Sequence, residues 1–154
     1  MVLAGDYERD DNQCGIVGTF APDGTMDVGL GRKGMRGMAA RNAWFETGAV
    51  PDFPQGPTDL DKLAVKAGIA HREGNGVQAA AELERLDDLR SERAIMLNGK
   101  RLADFRDLDD RTPHALEVIM TGGAYLWIDF AQIAELTIEP ITRPRDLAFR
   151  RAEL

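Results

Sequence analysis

Cysteine is almost missing from the chain: Cys14 stands alone among 154 residues. That excludes an internal disulfide and fits a reducing compartment. Histidine is nearly as sparse. His71 and His114 are the two present, and their separation rules out the helical His-x-x-x-His zinc pattern. No apolar run approaches the roughly 20 residues that a membrane helix needs. The opening residues Met1–Tyr7 lack a basic stretch followed by an apolar one, so no secretory leader is expected and a cytoplasmic bacterial protein is. Basic excess is missing as well, since 19 Lys and Arg against 26 Asp and Glu leave a net charge of −7. Phosphate-backbone binding rests on clustered cations, so nucleic acid is not an expected partner. Neither a P-loop nor a G-x-S-x-G turn occurs. Gly29-x-Gly31-x-x-Gly34 matches the letters of a dinucleotide fingerprint, but no apolar strand precedes it and Arg32-Lys33 fill its interior.

What is present suits an ordinary globular fold: 44% hydrophobic and 29% charged residues, in a chain long enough to bury roughly 70% of its unfolded surface. Acid gathers at Asp6–Asp11, Glu82–Asp88 and Asp104–Asp110. Arg32, Lys33, Arg36 and Arg41 form a modest basic stretch, and Arg143, Arg145, Arg150 and Arg151 another. Each reads as a solvated face.

Glycines at 5, 15, 18 and 24 leave residues 1–27 poorly defined. Residues 28–47 carry a partial helical stripe through Met35, Met38, Ala39, Ala43 and Phe45. Their glycines each weaken the helix by up to about 1 kcal/mol, so it needs tertiary support, and Gly48 closes it. Pro51, Pro54 and Pro57 mark a connector. Thr58 then caps a helix with Asp61 in capping-box position. Its apolar face runs through Leu60, Leu63, Ala64 and Ala67. Gly74-Asn75-Gly76 turns the chain into a second helix from Val77 to Arg90, striped by Ala79, Leu83 and Leu86. This αα-hairpin looks like one tetratricopeptide-like unit, which cannot bury its own face. The 28–47 helix, the C-terminal part or a partner must cover it.

After Ser91 the period changes. Asn98-Gly99 between Ala94–Leu97 and Lys100–Phe105 signals a type I′ hairpin. Thr112-Pro113 predicts another helix start, with Leu116, Ile119 and Met120 as its buried face and Gly122-Gly123 as its end. Tyr125–Ile128 and Ala134–Glu139 read as strands. The expected class is α+β: N-terminal tetratricopeptide-like helices over 1–90, then a small mixed α/β unit with an antiparallel hairpin over 91–154.

No catalytic, cofactor-binding or metal-ligating set is expected. Cys14-Gly15-Ile16-Val17-Gly18 looks like the start of N-terminal-nucleophile amidotransferases. That chemistry needs the α-amino group of the same cysteine, hence removal of Met1–Gln13, and no second motif supports it. Asp104, Asp107, Asp109 and Asp110 could suit a hard cation. However, the calcium-loop pattern is absent and Arg106 and Arg111 interleave, which favours ion pairing or capping. His71 and His114 read as bystanders. Tyr125, Trp127 and Phe130 are either interface anchors or core, and the strands they share with Leu126 and Ile128 favour core.

One resemblance runs through the C-terminal third. "DFRDLDDRTPHALEVIMTGGAYLWIDFAQIAELTIEP" followed by "RDLAFRRAEL" resembles the ImpE or SciE-type (TagJ-like) accessory proteins of bacterial type VI secretion. The matching residues are Asn98-Gly99, Phe105, Asp107, Asp109, Arg111, Leu116-Glu117, Tyr125, Trp127, Pro140 and Arg145-Asp146-Leu147. "ARNAWFETGAVPDF" and the 58–90 hairpin match more loosely. Much of the family's N-terminal repeat region and its β-rich extension have no counterpart here. The resemblance implies a non-enzymatic cytoplasmic adaptor, without cofactor, whose partner is an amphipathic helix of a type VI sheath subunit. The rival expectations are an amidohydrolase using Cys14 and a self-associating domain.

Overall fold

The computed structural model describes residues 2–5, 19–20, 26–120, 122–142 and 150–154. Helix α1 spans Val28–Thr47, as its stripe predicts despite its glycines. Gly48 ends it at φ +84°, with its N–H donating to Ala43 O at 2.8 Å and Trp44 O at 3.2 Å. This left-handed close costs glycine little. Helix α2, Asp59–Arg72, opens on the expected capping box: Asp61 N donates to Thr58 Oγ1 at 3.2 Å and Thr58 N donates to Asp61 Oδ2 at 2.7 Å. Helix α3, Gly76–Leu89, is capped by Asn75, whose Oδ1 accepts from Gln78 N at 3.1 Å.

Nine strands are described. β1 (Val2–Gly5) precedes the helices, and β2 (Thr19–Phe20) and β3 (Met26–Asp27) pair as a small ribbon. β4 (Ile95–Leu97) and β5 (Lys100–Leu102) form the expected hairpin. Asn98 and Gly99 adopt φ of 50° and 79°, the positive pair that a type I′ turn needs. β6 (Ala115–Met120), β7 (Tyr125–Asp129), β8 (Thr137–Ile138) and β9 (Arg150–Glu153) follow. They join β1 in a five-stranded sheet of order β7-β6-β1-β9-β8. β1 lies parallel to both β6 and β9, while β6–β7 and β8–β9 are antiparallel.

β6 corrects the expected helix at 112–121. Leu116, Ile119 and Met120 carry helical spacing, but Ala115 through Ile119 are all buried. A strand covered on both faces reads as a continuous apolar run without a period of two. Gly122-Gly123 therefore turns a hairpin: Gly123 sits at φ +88° and Met120 N donates to Ala124 O at 2.9 Å. The expected strand at 134–139 shortens to β8, after a 3-10 turn at Phe130–Gln132 capped by Asp129.

The sheet has two faces. Ala115, Ile119, Tyr125 and Trp127 join Trp44, Ala64 and Leu86 in the larger core. Leu116, Val118, Leu126 and Ala152 form a second core packed by Phe130, Ile133 and Leu136. Helix α1 lies against β6 and β7, and Gly37 shows how closely: a Cβ there would stand 2.3 Å from Ile119 Cγ2. The outer edge of β7 is taken by the proline connector, where Asp52 N donates to Tyr125 O and Trp127 N donates to Asp52 O, both at 3.1 Å. Pairing there covers an edge that would otherwise invite another strand.

Candidate protein-docking groove

Strand β6 places Glu117 on the helix-covered face, where it is 4% exposed. Such a carboxylate needs partners, and it accepts three hydrogen bonds from two residues. Arg41 of α1 donates from Nε to Oε1 at 3.0 Å and from Nη2 to Oε2 at 2.9 Å, the two-pronged geometry that suits a guanidinium. The Tyr125 hydroxyl donates to Oε1 and accepts from Trp127 Nε1 at 2.7 Å. Burial, then the charge and hydrogen bond of Glu117, hold the Tyr125 phenol well above its usual range. Burial opposes the charge on Arg41, but the hydrogen bond and charge of Glu117 outweigh it and keep the guanidinium firmly protonated. Arg41 is therefore an anchor of α1 to the sheet, which corrects its reading as part of a solvated basic face.

The network continues into two aromatic residues, the buried Trp44 and the half-buried Phe45. Trp44 meets Trp127 edge-on at 5.1 Å. Phe45 carries the Arg41 guanidinium 4.7 Å and the Arg111 guanidinium 4.4 Å from its ring centre. These rings wall one side of an apolar cavity of about 100 Å³. Ala64, Ala67 and Gly68 of α2 and Ala79 and Leu83 of α3 line the rest, with His71, Arg72 and Arg111. The floor is made of small residues, and Gly68 is required there: a Cβ would stand 2.8 Å from the Trp44 ring. Arg72 donates to Trp44 O at 2.9 Å and lies 4.7 Å from the Trp44 ring centre.

The acidic loop is closed by its own hydrogen bonds. Asp109 N donates to Asp107 Oδ1 at 2.8 Å, and Arg111 pairs with Asp109 through Nη2 at 2.6 Å. The Arg111 hydrogen bond lowers the Asp109 pKa, and Asp109 in turn raises that of Arg111. Asp110 pairs with Arg106. Asp104 accepts from Arg90 at 3.0 and 2.8 Å and from Arg93 N at 2.8 Å. Those hydrogen bonds, that of Arg90 foremost, hold its carboxyl far below the usual range. Among the described residues no cluster of three or more His, Cys, Asp or Glu is arranged to hold a metal.

Of the signature residues, Glu117, Tyr125 and Trp127 thus meet in one buried chain. Arg111, held by Asp109, joins it across Phe45, and Asp107 shapes the loop. Arg145 and Asp146 lie outside the described residues, as does Cys14. His114 is no helical bystander. It is 2% exposed, and its Nε2 lies 3.0 Å from Asp61 Oδ1, so the α2 cap residue also ties that helix to the sheet. Trp127 and Tyr125, 1% and 3% exposed, belong to the core. Trp44, Phe45 and Arg41 escaped the sequence reading as site residues, although "ARNAWFETG" carries all three. A larger cavity of about 300 Å³ lies at the opposite sheet face, against Met120, Leu126, Ile128 and Ile133. No signature side chain lines it.

Comparison with known proteins bears on the same segment. Residues 99–154 match the family model described as ImpE protein. Over that stretch, about a third of its length, the chain is similar to the ImpE family. The matched segment contributes Glu117, Tyr125, Trp127 and Arg111, while Arg41, Trp44 and Phe45 come from outside it. The solved structure of protein VPA1032 from Vibrio parahaemolyticus is similar to a larger part, with TM-score 0.70 and 25% identity over 77% of this chain and 45% of that one. The chain thus spans less than half the length of that relative. No curated protein matches it. No described helix is long and apolar enough to cross a membrane.

Proposed function

We propose that this ImpE-type chain is a non-enzymatic adaptor of a type VI secretion system, and that it docks an amphipathic helix of a sheath component. The ImpE match supports the association with type VI secretion. The observation that carries the docking role is the groove between Trp44 and Phe45 of α1 and the small-residue faces of α2 and α3. Gly68 is filled by the chain's own Trp44 ring, and beside that ring the alanines of α2 and α3 leave a cavity of about 100 Å³, space for one apolar side chain of a partner, as in helix-in-groove recognition. The buried network behind it fixes the aromatic wall, which reduces the ordering cost of binding. A cytoplasmic setting follows from this role.

Co-purification with the sheath proteins tests the reading. Leu83 is half-buried at the groove, so Leu83→Glu places a charge there without opening the core. Association in the wild type and its loss in Leu83→Glu is the expected result. Failure of the wild-type chain to retain any sheath component contradicts the reading.

A further inference from the structure

Leu108 is 96% exposed, more than any other large apolar side chain among the described residues. A lone surface leucine says little; the setting of this one says more. Its backbone is braced on both sides. Asp109 N donates to Asp107 Oδ1 at 2.8 Å, which closes the turn that carries Leu108. Asp107 N donates to Pro113 O at 3.1 Å and Thr112 N to Asp109 O at 3.0 Å, while Arg106 Nε donates to Asp107 O at 3.2 Å. A loop held this way has little further freedom to lose when a surface closes over it.

Leu108 also stands near a socket that it does not fill. Arg111 lines the apolar cavity of about 100 Å³ and pairs with Asp109 at 2.6 Å, so the loop and the cavity share one face of the molecule. A cavity of that order accepts one small apolar group. Its lining holds Arg72 and Arg111 but no carboxylate. Asp107 and Asp109 flank Leu108 and Asp110 follows, so the loop and the cavity differ in the sign of their charge. Knob and socket on one face are what a two-fold pair needs, because each copy can then both give and receive.

We propose that two copies of this chain pair through that face, each seating its Leu108 in the other's cavity. This rests on the docking reading only for the groove itself, and it adds a competitor: a second copy and a partner helix cannot occupy the groove together.

Sedimentation equilibrium of the whole chain tests it. The wild type is expected to dimerise weakly and reversibly, as suits a small contact. Leu108→Asp and the uncharged Leu108→Ser are each expected to raise the dissociation constant at least about tenfold, through loss of a buried leucine. Leu83→Glu, which blocks the cavity, should do the same. An equimolar mixture of Leu108→Asp and Leu83→Glu retains one intact knob and one intact socket, so it should associate more tightly than either variant alone, which misfolding could not produce. A wild type that stays monomeric at roughly millimolar concentration, Leu108 variants that dimerise as the wild type does, or a mixture no tighter than its parts each overturn the proposal. A monomeric wild type that still retains a sheath component sinks the pairing and leaves the docking reading standing. A dimer abolished by Leu108→Ser, from a chain that retains no sheath component, does the reverse.

Discussion

Replacing Arg41 by Met tests whether α1 is pinned to the sheet by a buried ion pair. The perturbation is asymmetric. Glu117's side chain is 5% exposed against 25% for Arg41. Without Arg41 the carboxylate loses both guanidinium bonds and keeps only the Tyr125 hydroxyl, in a place where water cannot replace them. Removing one partner of a buried pair in this way costs about 3–5 kcal/mol. Glu117→Met leaves the more exposed Arg41 free to turn towards water, and the main loss is the acceptor for Tyr125, about 1–3 kcal/mol. With both groups replaced by Met no charge is stranded, so the double variant should resemble Glu117→Met and stand well above the sum of the singles. Urea unfolding of the four proteins gives the coupling directly. A double variant that loses the full sum, or an Arg41→Met variant that loses less than about 1 kcal/mol, refutes the reasoning.

Gly37→Ala should cost about 1–3 kcal/mol through the collision with Ile119, read as a lower thermal midpoint; an unchanged midpoint would mean that α1 does not rest on β6. Thr58→Ala removes the hydroxyl that accepts from Asp61 N and should cost about 1 kcal/mol, checked by the same melts. The chain has two tyrosines, so Tyr7→Phe isolates Tyr125. Its phenol is held above the usual value by burial and then by Glu117, so only the unfolded chain ionises from about pH 10. Folding stability should then fall as pH rises above that point. Tyrosinate absorbance is expected to appear together with loss of native circular dichroism; a reversible titration near pH 10 in the folded state would contradict it.

The parts of the fold legible in the sequence are those written locally. Thr58 with Asp61, Gly48 after α1, and Asn98-Gly99 each fix a backbone conformation within a few residues, and the structure adopts all three. Strand β6 was hidden because Thr112-Pro113 imitates a helix start and Leu116, Ile119 and Met120 imitate a helical face. Strand β6 is held between β7, across the Gly122-Gly123 turn, and β1, which pairs Val2–Gly5 with Glu117–Met120; no local pattern announces the pairing with β1. The candidate site fails to show for the same reason. Arg41 and Glu117 lie 76 residues apart, and Asp61 and His114 lie 53 apart. The sequence marks Glu117, Tyr125 and Trp127 as distinctive, yet their joint role depends on a helix that brings in Arg41, Trp44 and Phe45. The acidic loop was more transparent, since Asp109 and Asp110 pair with arginines two and four residues away.

The central claim is that a partner helix occupies the space between Trp44 and Phe45 and the α2–α3 hairpin. Hydrogen–deuterium exchange of the chain, alone and with a sheath component, tests it most directly. The account requires slowed exchange in the last turn of α1 and along α2 and α3, with the β4–β5 hairpin unchanged. Protection confined to that hairpin or to the opposite sheet face, with the groove-lining helices unaffected, would contradict it.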